Sequence, residues 1–190
     1  MSAPLRIGFA SIYSWRPHVE QLYFLANLAR QAEQECFFLT CDADLPTCYT
    51  RELRNIRPDW QECIACRLGG MRSFTAKNVS AIGNLPGREF EIPAELPNWA
   101  LSSASTLGRF ESDADFASDD FQQLADKLVP AVRKAYAAAR QWIDLNRLDA
   151  VCVFNGRMDA TRAIFEAARD AGIRVISVER PWFGDGIQLQ

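Results

Sequence analysis

Asp149-Ala150-Val151-Cys152-Val153-Phe154-Asn155-Gly156-Arg157 is followed, one helical stretch later, by Ile173-Arg174-Val175-Ile176-Ser177-Val178. Both apolar runs are short, β-branched and nearly uninterrupted, the pattern of strands buried on two faces. Between them Ala160, Ile164, Ala167, Ala168 and Ala171 recur at helical spacing, and Gly172 stands where a helix ends in a left-handed residue. Strand, helix and strand in that order form a right-handed crossover between parallel neighbours. The fold predicted is a doubly wound α/β domain with a mainly parallel sheet.

The other end of the chain repeats the alternation. Leu5 to Ala10 is a strand candidate, Pro17 suits the first position of a helix, and Val19, Leu22, Tyr23, Leu25, Ala26 and Ala29 give that helix one apolar face. Glu35 to Thr40 is the second strand. Further on, Ser118 is a fitting N-cap with Asp119 and Asp120 in the first turn. Phe121, Leu124, Leu128, Val132, Tyr136, Ala139 and Ile143 then mark one face of a long helix. Pro130 lies inside it, which predicts a kink or two abutting helices.

Residues 41–115 hold most of the prolines and little periodicity. They read as an irregular insertion with short helices around 50–56 and 98–108. Its most distinctive feature is Cys41-x6-Cys48-x14-Cys63-x2-Cys66. Thiolates clustered after a strand can hold a soft tetrahedral ion, zinc foremost and an iron–sulfur cluster as the alternative. Disulfides and free or redox-active thiols are the competing readings. Cys36 and Cys152, inside strands, are expected to be buried thiols without a metal role.

The 190 residues make one domain of 1–190 the natural prior; 48% are hydrophobic and 11% aromatic, a globular composition. No apolar run reaches the ~20 residues of a membrane span. The opening residues do not form a signal peptide. A net charge of −3 gives no argument for nucleic acid. Arg51, Arg54, Arg57, Arg67, Arg72 and Lys77 nevertheless crowd the cysteine region. They form either a solvated face or a surface for an anionic ligand or lipid head group. Glu111, Asp113, Asp115, Asp119 and Asp120 crowd the next stretch.

In open α/β sheets, ligands bind beyond the carboxyl ends of the strands. That rule selects Ser11, Tyr13, Ser14, Trp15, Arg16 and His18 after the first strand, and Cys41-Asp42-Ala43-Asp44 after the second. It also selects Asn155, Gly156 and Arg157 after the Phe154 strand, and Glu179 with Arg180 after the last. His18 at a helix start would be held neutral, as a general base requires, or would simply be a capping or solvated side chain. Arg157 at a helix N-terminus suits a phosphate or carboxylate. Glu179 either has a functional role or pairs with Arg157 or Arg180. No G-x-G-x-x-G follows the first strand, and no nucleophile elbow is present.

Pro17-His18-Val19 through Leu28-Ala29 to Phe38-Leu39-Thr40 resembles the opening unit of GT-B glycosyltransferases. The cysteine block resembles that of a cysteine-bearing subgroup making bacterial surface and capsular polysaccharide. So does Val153-Phe154-Asn155-Gly156-Arg157 through Arg162-Ala163 and Gly172-Ile173 to Glu179-Arg180. The resemblance implies a Rossmann-like acceptor-side domain, with His18 or Glu179 as the base. A nucleotide-sugar donor would be held by a C-terminal domain absent from this chain, and the acceptor would be a saccharide or lipid-linked. It further implies a cytoplasmic location, at most peripheral to the inner membrane. After Arg180, Pro181-Trp182 departs from the family pattern. The alternative function is a standalone metal–thiolate α/β module acting as a redox or ligand sensor.

Overall fold

The computed structural model describes residues 3–74, 76–181 and 186–190. Six strands form one sheet: β1 (Arg6–Ser11), β2 (Glu35–Thr40), β3 (Val79–Ala81), β4 (Ala150–Phe154), β5 (Arg174–Glu179) and β6 (Gln188–Leu189). Their spatial order is β3-β2-β1-β4-β5-β6. Neighbours from β3 to β5 run parallel, while β6 runs antiparallel to β5. The predicted α/β class and mainly parallel sheet are therefore present.

The helices are α1 (His18–Gln31), α2 (Tyr49–Arg54), α3 (Asp59–Gly69), α4 (Met71–Phe74), α5 (Leu101–Gly108), α6 (Asp113–Phe116), α7 (Asp119–Asn146) and α8 (Asp159–Asp170). Two 3-10 turns, Ile82–Asn84 and Leu96–Ala100, complete the elements. Side chains alternate between the sheet's faces with the strand period of two. Phe37, Leu39, Val151 and Val153 meet α7 and α8 on one face, in the larger core. Phe9, Phe38, Cys152 and Phe154 meet Leu22 and Ala26 of α1 on the other. Cys36 and Cys152 are buried strand thiols, as the sequence predicts.

Gly8 allows the close packing of the first face. A Cβ there would overlap the Trp142 ring and Leu148, so the helix–sheet approach requires a residue without one. Pro130 does not divide α7, which runs as one helix of 28 residues. Its ring lies on the exposed side, where the missing hydrogen bond costs least. The insertion carries the short helices predicted around 50–56 and 98–108, in α2 and α5. It also contains α3 and the edge strand β3, which the sequence does not announce.

Candidate functional site

The strand order reverses between β1 and β4, where their outgoing connections diverge to opposite sides and leave a crevice. From β1 the chain delivers Tyr13 and Trp15 to this rim. The Trp15 ring lies 5.7 Å from Tyr13, 5.2 Å from Tyr49 and 6.5 Å from Phe154, centroid to centroid. His18 stacks on Phe154 at 3.6 Å. The result is an aromatic floor whose members come from β1, the start of α1, α2 and β4.

Asn155 turns the chain from β4 towards α8. Its φ of 62° and the 62° of Gly156 place two successive residues in the left-handed region. A local hydrogen bond stabilises the turn: Asn155 Oδ1 accepts from the Arg157 N–H at 3.0 Å. The Asn155 N–H donates to the Val178 carbonyl at 3.1 Å, and Ser177 Oγ donates to the Asn155 carbonyl at 3.2 Å, fastening the turn to β5. A Cβ on Gly156 would press on the Phe165 ring, 2.8 Å away. Arg157 thereby projects into solvent from the turn that leads into α8.

Charges meet along the same rim. Burial pushes the Glu179 carboxyl above the ordinary glutamate range, opposed by the positive charge of Arg157. Arg157 acts in the same sense on the Tyr49 hydroxyl, which burial raises. Burial lowers His18, and the Arg180 charge adds to that effect against a hydrogen bond with Gln21. The imidazole is thus held towards its neutral form by desolvation first. His18, Asn155, Gly156, Arg157, Glu179 and Arg180 all lie at or beyond the carboxyl ends of β1, β4 and β5.

Sequence reasoning misses the residue behind the crevice. Asp159, the first residue of α8, is fully buried. One carboxylate oxygen accepts from the Tyr13 hydroxyl, and the other accepts the Tyr49 N–H at 3.0 Å. The Asp159 N–H donates to Ser103 Oγ at 2.7 Å. One side chain therefore ties the β1 loop, α2 and α8 together, and its backbone adds α5. Burial pushes its carboxyl up to about 6, against hydrogen bonds from the Ala160 and Tyr49 amides. An aspartate opening a helix was the only signal for it in the sequence, and that signal also fits a solvated residue.

Cys41, Cys48, Cys63 and Cys66 line one small cavity of about 30 Å³ together with Ile12, Tyr13 and Arg51. They are free thiols. Arg51 donates to Cys63 Sγ at 3.7 Å, and Cys66 Sγ donates to Ser14 Oγ at 3.5 Å. Burial raises Cys41, and it raises Cys48 to about 11, so the protonated forms are favoured. Among the described residues no group of three or more His, Cys, Asp or Glu side chains is placed to hold a metal ion. The four cysteines expected to hold zinc or an iron–sulfur cluster thus line one cavity as free thiols.

No protein-family model matches the sequence, and no curated protein matches it. Among solved structures the chain is similar to that of a CDPS, a tRNA-dependent cyclodipeptide synthase, from Fluoribacter dumoffii. Sequence identity is 11%, the match covers 98% of this chain and 90% of that chain, and the TM-score is 0.56. The expectation of a glycosyltransferase function is overturned by this match, because the protein that shares the fold over nearly the whole chain is a CDPS and not a glycosyltransferase. What the likeness establishes for this chain is its doubly wound, Rossmann-like fold.

Proposed function

We propose that this chain is an enzyme domain that binds a small anionic ligand bearing a planar ring in the crevice between β1 and β4, with Glu179 exchanging a proton with it. One observation carries the reading: a half-buried acid with a raised pKa stands under the influence of Arg157, on a rim whose floor is Trp15, Phe154 and His18. Aromatic rings offer a stacking surface for a base or other planar group. Arg157, before a helix of 12 residues, suits a phosphate or carboxylate on the same molecule. A carboxyl shifted upwards is closer to the value at which proton transfer is efficient near neutral pH.

The CDPS likeness favours adenosine among ring-bearing groups, since an aminoacyl-tRNA ends in one. A whole tRNA is not carried over. The net charge is −3, and Arg51, Arg54, Arg57, Arg67 and Arg72 are each engaged by a carboxylate. A reducing, cytoplasmic setting fits the free thiols.

Calorimetric titration with adenosine monophosphate, adenosine and inorganic phosphate tests the proposal. Adenosine monophosphate is expected to bind best. Arg157→Ala, with the melting temperature unchanged, and Trp15→Phe, which keeps the packing on both cores, should each weaken it, Arg157→Ala by ~10-fold or more, about 1.4 kcal/mol. Glu179 keeps its proton to a higher pH than a free glutamate, so anion binding should tighten as pH falls through its pKa. Glu179→Gln should abolish that dependence. Absence of binding to all three probes, or parental affinity in both Arg157→Ala and Trp15→Phe, overturns the reading.

A further inference from the structure

Helix α3 carries its apolar and its sulfur-bearing residues on opposite sides. At 100° per residue, Trp60, Ile64 and Leu68 share one side, and Glu62, Cys63 and Cys66 share the other. Trp60, Ile64 and Leu68 are exposed, whereas the two cysteines turn inward and line the small cavity that Cys41 and Cys48 also reach. The remaining cysteines of the chain, Cys36 and Cys152, are buried in the core beneath α1.

The rise and radius of an α-helix set Cα atoms three residues apart at about 5 Å. A disulfide spans roughly 4.4–6.8 Å between Cα atoms, so the backbone of α3 already holds Cys63 and Cys66 within reach of one another. The cavity beside them, about 30 Å³, leaves room for the side-chain rotation that bond formation requires. Their contacts differ. Arg51 donates to Cys63 Sγ at 3.7 Å, which places a positive charge where an attacking thiolate is stabilised. Cys66 is turned instead to Ser14, donating to its Oγ at 3.5 Å. Burial favours the protonated forms of Cys41 and Cys48, which makes them the poorer nucleophiles.

We propose that Cys63 and Cys66 are a redox-active pair, which small disulfides of the glutathione type convert reversibly to an intramolecular disulfide. First, the Cys63 thiolate attacks one sulfur of oxidised glutathione. The S–S bond breaks, and one glutathione leaves as a thiol, taking up the proton that Cys63 released. Next, the Cys66 sulfur loses its proton and attacks Cys63 Sγ, which expels the second glutathione as its thiol. Two protein thiols are thereby oxidised by two electrons, and one small disulfide is reduced to two thiols. The bond closes a loop with only two residues between the cysteines, so it constrains the unfolded chain little and is open to reduction again. It also removes the hydrogen that Cys66 donates to Ser14 in the loop after β1. The proposal does not depend on the ligand crevice.

Equilibration of the full chain in graded mixtures of reduced and oxidised glutathione provides the test, followed by acid quenching, unfolding, alkylation and tryptic mass mapping. The tryptic peptide 55–67 contains Cys63 and Cys66 and no other cysteine. In oxidising mixtures it is expected without alkyl groups and two hydrogens lighter, and dithiothreitol should restore the dithiol. Cys36 and Cys152 should stay reduced. Cys66→Ser should trap one glutathione on Cys63, whereas Cys63→Ser should react with glutathione ~10-fold or more slowly than the parent. Cys66→Ala and Cys63→Ala replace either variant whose circular dichroism melt shows that it fails to fold. Both thiols remaining reduced in the most oxidising mixture overturns the proposal. So does pairing of either with Cys41 or Cys48, no adduct in the Cys66 variants, or oxidation of Cys36 and Cys152 at the same rate.

Discussion

Asp159 combines a carboxylate's preference for water with complete removal from it. Its carboxyl rises from 3.8 to about 6 through burial, so between those values the folded state retains a proton that the unfolded chain has lost. Stability must then be greatest below the lower value and fall as pH rises through the higher one, by about 2–3 kcal/mol at most for such a shift. Urea unfolding between pH 4 and 7 should show that decline in the parent. Asp159→Asn should lose most of it, and an identical slope in the two proteins would refute this account. At this scale the sequence reveals what connectivity dictates. His18, Asn155, Arg157, Glu179 and Arg180 follow strands, so their place on one rim is readable from strand ends. Tyr49 and Ser103 meet Asp159 across 110 and 56 residues, and no local pattern encodes such a meeting.

Among the elements, α7 shows how packing overrides a local breaker. Leu128, Ala131, Val132 and Ala135 are fully buried around Pro130, and their burial holds the helix through a position that donates no hydrogen bond. Pro130→Ala restores that donor on the exposed side and should raise stability by about 1–3 kcal/mol, seen as a higher melting temperature. A lower one would mean that the ring itself is needed for the helix's path. The long helices and four of the strands were legible because each presents a sustained apolar period. Helix α3 was not, because its apolar stripe points away from the core. Strand β3 has only three residues, too few for any period to register.

For the molecule as a whole, stability should be distributed as the cores are. The two layers meeting on β1 and β4 contain nearly all the fully buried side chains, whereas α3 contributes only Glu62. Amide hydrogen exchange should be slowest in β1, β4, α7 and α8, and faster by ~10-fold or more across 53–72. Equal protection of that segment and β4 would contradict this distribution. The same division explains the error about function. The alternation of strands and helices is common to many α/β proteins, so it identifies the sheet but not the chemistry performed on its rim. The short antiparallel β6 has a consequence of another kind. Gln190 exchanges both backbone hydrogen bonds with Ser177, at 2.8 and 3.0 Å, so the outer margin of β5 is occupied from Ser177 to Glu179. At the opposite margin β3 offers only three residues to an incoming strand. Each border thus offers an incoming strand only about three residues, a short template for strand addition by a neighbour.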